Sequence, residues 1–253
     1  MGDNTGKFVW YEWMGADIDG AVDFYRHVVG WDIAETGMAG FSYQIASVGG
    51  YGVGGLLRTP PGAEGAPSCW TGYVWVENVD AGLAKLKAAG GRAMREAWDI
   101  PHVGRLAIVA DPQGAGFALF RDAGGDPPLA PPPQTPGLIG WRELHARDGK
   151  AAFDFYAGQF GWTEATQFDM GPMGVYRLFD NGAQQGGMMS MHPPGGPLWL
   201  YYFNVEAADA ACARVTAKGG KVLNGPHEVP GPMWATQCAD CEGAMFGLVA
   251  PKR

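Results

Sequence analysis

What most limits the folds open to this 253-residue chain is that the chain is written twice. Phe8-Val9-Trp10-Tyr11-Glu12 returns as Ile139-Gly140-Trp141-Arg142-Glu143, and Asp23-Phe24-Tyr25 with Gly30-Trp31 returns as Asp154-Phe155-Tyr156 with Gly161-Trp162. Gly54-Gly55 and Pro60-Pro61-Gly62 reappear as Gly186-Gly187 and Pro193-Pro194-Gly195. Trp70, Tyr73, Val76-Glu77, Asp80 and Gly90-Gly91 match Trp199, Tyr202, Val205-Glu206, Asp209 and Gly219-Gly220. Pro101, Asp111, Gly114 and Phe117 match Pro230, Asp240, Gly243 and Phe246. Blocks that keep their order and nearly their spacing mark a duplicated structural unit. The copies are placed at 7–122 and 138–251, joined by a proline-rich linker over 123–137 that is expected to be extended and semi-rigid.

Each copy divides again. A first strand is expected near 8–14, rich in aromatic and β-forming residues. A helix follows near 18–29, where Ala21, Val22, Phe24, Tyr25, Val28 and Val29 recur at helical spacing behind an Asp17 cap. Strands near 41–48 and 52–58 end the first half. The second half opens with Tyr73-Val74-Trp75-Val76; Asp80 is expected to cap a helix over 81–89 that Gly90-Gly91 terminates. Strands near 105–110 and 116–121 close it through the turn Asp111-Pro112-Gln113-Gly114. The fold class is therefore α+β, as four βαβββ modules in two tandem domains.

Charge and cysteine content narrow the function classes. Eighteen Lys and Arg against 26 Asp and Glu give a net charge of −8 with no basic run, so neither nucleic acid nor a membrane surface is an expected partner. No stretch approaches the roughly 20 apolar residues that span a bilayer, and the first residues lack a signal pattern, so a cytoplasmic protein is expected. Cys69, Cys212, Cys238 and Cys241 offer one Cys-x-x-Cys without a second pair at zinc-site spacing, and reduced structural thiols are expected. His27, His102 and His192 fall on a helix or in turns, and His227-Glu228 answers to Trp98-Asp99 in the first copy, so none is shared between the copies.

The unit with Asp-Phe-Tyr on its first helix, Gly-Trp after it and Asp-Pro-x-Gly before its last strand resembles the vicinal-oxygen-chelate superfamily of glyoxalase I, bleomycin-resistance proteins and extradiol dioxygenases. The resemblance covers both copies and implies glyoxalase-like domains with open, cup-shaped sheets that hold a divalent metal and a small substrate. It places four metal-ligand positions in each copy, filled in relatives by His, Glu or Gln. Here they fall on Trp10, Gly55, Thr71 and Ala118, and on Trp141, Gly187, Leu200 and Gly247. Indole offers a metal no lone pair, and only Thr71 is even a weak donor. No cofactor is expected on this account; a divalent metal on relocated ligands remains open, with Glu143 and His145 as its candidates.

Strand alternation puts Trp10, Glu12 and Met14 on one face, Trp141, Glu143 and His145 on its counterpart, and likewise Thr71, Tyr73 and Trp75, and Leu200, Tyr202 and Asn204. Aromatic walls with one carboxylate suit a flat or cationic organic molecule. The candidate ligand-binding residues are thus Trp10, Glu12, Thr71, Tyr73, Trp75, Trp141, Glu143, His145, Tyr202 and Asn204. A buried carboxylate needs a partner, and Arg105 and Arg142 are candidates. Three functions stand open: a metal-free small-molecule binder of the sequestration or resistance type, a metal-independent isomerase, lyase or hydrolase with Glu12 or Glu143 as general base, and a metal enzyme with relocated ligands. Two fused copies are expected to pair within the chain as separate subunits would, as monomer or homodimer.

Overall fold

The computed structural model describes residues 4–37, 42–124, 129–182, 185–191, 193 and 195–253. The start of the strand expected from 41, part of the linker and His192 lie outside the described residues. In the first repeat the elements are β1 (Phe8–Gly15), α1 (Ile18–Val28), β2 (Asp32–Glu35), β3 (Tyr43–Val48), β4 (Tyr51–Arg58), β5 (Cys69–Trp75), α2 (Val79–Ala88), β6 (Arg92–Ile100), β7 (Gly104–Ala110) and β8 (Gly116–Asp122). The second repeats them as β9 (Ile139–Ala146), α3 (Gly149–Phe160), β10 (Thr163–Asp169), β11 (Val175–Asp180), β12 (Gln185–Ser190), β13 (Leu198–Asn204), α4 (Ala208–Ala217), β14 (Lys221–Val229), β15 (Met233–Ala239) and β16 (Met245–Ala250). Four βαβββ modules are present, and the α+β class holds.

Each repeat forms an open, curled sheet of eight strands, ordered β2-β3-β4-β1-β5-β8-β7-β6 and β10-β11-β12-β9-β13-β16-β15-β14. In each half the first strand pairs in parallel with the last, β1 with β4 and β5 with β8, and the hairpin strands continue antiparallel. Backbone contacts gather the chain into two compact units, each drawing on both repeats. One holds Met1–Trp10, Thr71–Pro127 and Arg142–Trp199; the other holds Tyr11–Trp70, Pro128–Trp141 and Leu200–Arg253.

The helices start as the sequence suggests, with one exception. Asp17 caps α1 by accepting from the Gly20 amide. Asn78, rather than Asp80, caps α2, accepting from Ala81 N–H at 2.9 Å. Asp80 lies inside the first turn and takes a bidentate bond from Arg105 instead. Asn and Asp cap about equally well, so identity alone could not choose between them. The short strand β2 and the nine-residue β6 had no periodic signal of their own; β6 carries Arg92, Arg95, Glu96 and Asp99 on its edge. Pairing with β7 makes β6 a strand despite that polarity.

Two buried carboxylates organise the cores. In the first unit, Asp111 Oδ1 accepts from the amides of Gln113, Gly114 and Ala115, closing the turn before β8. Its Oδ2 accepts from the Tyr156 hydroxyl at 3.2 Å, and that hydroxyl accepts from Trp199 Nε1 at 2.9 Å. In the second unit Asp240 repeats the pattern. Oδ1 takes Glu242 and Ala244 amides, Oδ2 takes Tyr25 Oη and Trp13 Nε1, and Trp70 donates to Tyr25. Burial pushes both carboxyls above the usual aspartate range, and their donors pull the other way. Aromatic side chains surround each network: Tyr156 stacks on Trp162 at 5.3 Å, and Trp162 on Phe179 at 4.2 Å. Tyr25 and Phe203 flank Trp31 in the second unit.

Asp240→Ala leaves Tyr25, Trp13 and two turn amides without their acceptor. The expected loss is about 3 kcal/mol, with about 1 kcal/mol for Tyr25→Phe, read by denaturant unfolding. A loss under about 0.5 kcal/mol for Asp240→Ala, within the range of an ordinary surface change, contradicts the role assigned to it.

Candidate ligand site on the sheet faces

Alternation along β1 and β9 sends Glu12 and Glu143 to the face opposite the buried Tyr11 and Trp13 side. Both carboxylates meet a tyrosine. Glu12 Oε2 accepts from Tyr43 Oη at 3.0 Å, and Glu143 Oε2 accepts from Tyr176 Oη at 2.8 Å. Tyr43 starts β3 and Tyr176 lies on β11, so the same phenol–carboxylate pair is built in both repeats. The partner of neither is Arg105, which is engaged by Asp80 and Asp99. The second repeat adds a further group: His145 Nε2 lies 2.6 Å from Glu143 Oε1, and the imidazole is 2% exposed. The first repeat has Met14 at that position.

Register explains why the tyrosines fit. Glu12 stands opposite Gly55 on β4, and Glu143 opposite Gly187 on β12. A Cβ built on Gly55 would run into the Tyr43 hydroxyl, and one on Gly187 into the Tyr176 ring. The glycines are the floor on which the phenols lie. On β16, a Cβ at Gly247 would strike the ring of Tyr202, its register partner on β13, whose hydroxyl accepts from Gln237 Nε2 at 3.0 Å. Three positions at which the resemblance places metal ligands are thus glycines roofed by tyrosine. Ala118 and Leu200 at two others are fully buried and apolar. These residues do not fit the divalent cation of the family. Among the described residues no three His, Cys, Asp or Glu side chains converge as a metal group.

The remaining candidates divide between two settings. On the β5–β8 half, Tyr73, Leu106 and Ala118 form a buried cluster against which Trp10, Trp98, Ile100, Ile108 and Phe120 pack while partly exposed. Arg95 lies over the Trp98 ring at 3.7 Å. Thr71 is half-buried on the same strand. Trp75 donates to Asp122 at 2.6 Å under the Arg121 guanidinium. Asn204 is buried and donates to the carbonyls of Pro133 and Thr135, holding the described end of the linker against β13. That stretch is pinned rather than free-standing: Gly137 also accepts from Trp31 Nε1. Trp141 is half-buried, next to the buried Arg142. The hollow beside the β6–β7 turn, lined by His102, Arg105 and Arg121 among others, has its two arginines paired with Asp80, Asp99 and Glu77. Sequence reasoning missed Tyr43 and Tyr176. The signal was present: Tyr43 stands 12 residues before Gly55, and Tyr176 stands 11 residues before Gly187.

None of the four cysteines is in a disulfide. Burial pushes the Cys238 thiol up to about 12, and burial with the Asp240 charge takes Cys241 to about 11. Both are therefore protonated at neutral pH and poor nucleophiles.

The chain belongs to the Glyoxalase/Bleomycin resistance protein/Dioxygenase superfamily, whose model matches residues 7–119 and 138–248. It is 32% identical over 250 residues to CFP32 of Mycobacterium tuberculosis, provisionally named a glyoxylase, across 96% of this chain and 94% of that one. It is 30% identical over 264 residues to the anthracycline biosynthesis protein DnrV of Streptomyces peucetius, across 96% and 93%. The fold matches the Mn(II)-bound glyoxalase from Novosphingobium aromaticivorans with a TM-score of 0.67 at 15% identity, over 98% of this chain and 83% of that one. It also matches homoprotocatechuate 2,3-dioxygenase from Brevibacterium fuscum, with a TM-score of 0.68 at 12% identity, over 98% and 81%. No helix among the described residues is long and apolar enough to cross a membrane.

Gly187→Glu, which writes in one of the ligand types that the resemblance implies at such positions, is expected to cost about 2 kcal/mol or more by overpacking. Tyr176→Ala in the same chain should recover part of that loss, so the two changes are coupled in a double-mutant cycle. Strict additivity in denaturant unfolding would show that the phenol does not occupy the space. Separately, a disulfide-reagent titration at pH 8 should leave Cys238 unreacted until the chain is unfolded; prompt modification would contradict its burial.

Proposed function

We propose that this protein binds a small, planar organic molecule without a divalent metal, aromatic walls holding its rings and the phenol–carboxylate pairs its polar edge. The observation that carries the proposal is the exchange at Gly55 and Gly187. Where the resemblance puts a metal ligand there is bare backbone, and a tyrosine hydroxyl directed at Glu12 or Glu143 takes the space. The half-exposed aromatic shelf of Trp10, Trp98 and Phe120 supports the ring-binding part. A fused-ring ligand gains there from stacking and from apolar burial, at about 25 cal/mol per Å² removed from water. The likeness to proteins named for anthracycline biosynthesis points toward a polycyclic ligand. The ligand-facing residues in this reading are Trp10, Glu12, Thr71, Tyr73, Trp141, Glu143, His145 and Tyr202, and the role is sequestration or delivery of the molecule in the cytoplasm.

The test uses 1,4-dihydroxyanthraquinone as probe, followed through quenching of tryptophan fluorescence. Saturable binding that EDTA leaves unchanged is expected, weakened about tenfold, or 1.4 kcal/mol, by Trp10→Ala. Stoichiometric zinc, nickel, iron or manganese in protein purified without chelator, or binding abolished by EDTA, would overturn the proposal.

A further inference from the structure

In the second half of the first repeat, register gathers side chains from four strands onto one face. Tyr73, Ala118, Ile108 and Arg95 stand side by side across β5, β8, β7 and β6, and Trp75, Phe120, Leu106 and Trp98 form the next row. Register partners point to the same side of a sheet. The alternate residues Val74, Ala107 and Leu119 are fully buried on the opposite side, where α2 packs. The face carrying the two rows stays partly open: Trp98, Ile108 and Phe120 lie half-exposed over the buried Tyr73, Leu106 and Ala118.

Arg95 stands at one end of this shelf, its guanidinium 3.7 Å over the Trp98 ring. Among the described residues no carboxylate pairs with it, whereas Lys87 is paired with Glu96, Arg105 with Asp80 and Asp99, and Arg121 with Glu77. Contact with an indole face uses the charge of a guanidinium and not its N–H donors. A carboxylate can still accept two of those donors side by side. At the other end of the shelf Ile100, Gly104 and Asp122 are in register and line an open hollow of about 360 Å³. Along β7, the step from Gly104 to Ile108 spans roughly 13 Å at strand rise, room for fused rings. The second repeat does not copy this face. Its equivalent rows are Tyr202, Gly247, Gln237 and Asn224, and Asn204, Val249, Ala235 and His227. Asn224 and His227 there take the places of Arg95 and Trp98.

We propose that this face takes a planar ring compound bearing a carboxylate, its rings on Trp98, Ile108 and Phe120 and its acid group on Arg95, at one site per chain. The inference rests on the reading of the aromatic shelf as a ligand site and adds what selects the ligand. With a net charge of −8 the chain as a whole does not attract anions. A preference for an acid therefore has to come from a local contact, and Arg95 supplies it.

The test titrates the full chain with anthraquinone-2-carboxylate and with the neutral anthraquinone-2-carboxamide, both followed by quenching of tryptophan fluorescence. The acid is expected to bind about fivefold more tightly, as for an exposed bidentate pair, with one molecule per chain, and added salt should shrink that preference. Arg95→Met should abolish the preference and leave the carboxamide affinity nearly unchanged, which a loss of folding would not do. Arg95→Lys, with the charge but without the fork, should keep part of it, and Lys87→Gln, an equal change of charge on α2, all of it. Equal affinity for the two probes in wild type, a preference that survives Arg95→Met, or two equivalent sites overturns the proposal. Carboxamide binding without discrimination refutes the role of Arg95 and leaves the aromatic shelf standing; binding of neither probe refutes both.

Discussion

The fold hangs on two buried aspartates, each of which ends one repeat's last turn while gripping the other repeat's first helix. Asp240 and Asp111 use one carboxylate oxygen to close a turn of backbone amides and the other to take a tyrosine hydroxyl. A charge so buried is tolerated only when its acceptor sites are filled. That requirement fixes the tyrosine, the tryptophan that donates to it, and the glycine that lets the turn pass. The motifs Asp-Phe-Tyr and Asp-x-x-Gly recur because they are the two ends of one hydrogen-bond network. They are read in one repeat and satisfied in the other.

That arrangement was partly legible. Repeat order, the first helix, its Asp17 cap and the turn before β8 follow from local chemistry, since each depends on residues within a turn or two of one another. Other features did not, for physical reasons. The cap of α2 rests on Asn78 because Asp80 has Arg105 to bind, a partner 25 residues away. The strand β6 is polar on an edge, where pairing rather than burial holds it. Tyr43 and Glu12 are 31 residues apart, and nothing in either segment announces the other. Glycines 55 and 187 were legible as missing ligands but not as floors for a phenol, because that depends on parallel register between β1 and β4.

Glycine under tyrosine is a different solution to a problem the scaffold poses. An open curled sheet with carboxylates on its face concentrates negative charge in a partly dry space, and that charge needs a partner. Here a phenol donates to the carboxylate in both repeats, and an imidazole lies against it in one. The exchange needs volume as well as polarity. A Cβ at Gly55 or Gly187 would overlap the phenol in its observed place, so the tyrosine reaches Glu12 or Glu143 across bare backbone. Each substitution is costly without the other.

Duplication lets the two faces part ways. Each compact unit takes the first half of one repeat and the second half of the other, so a change in one copy alters a single unit. Methionine at position 14 has no polar hydrogen to place. Histidine at 145 has a polar edge that must be satisfied inside the sheet face, and Glu143 is the group that satisfies it. The copies share the phenol–carboxylate pairs of Tyr43 with Glu12 and Tyr176 with Glu143, and differ in what stands beside the carboxylate two residues on, a thioether at Met14 in one and an imidazole at His145 in the other.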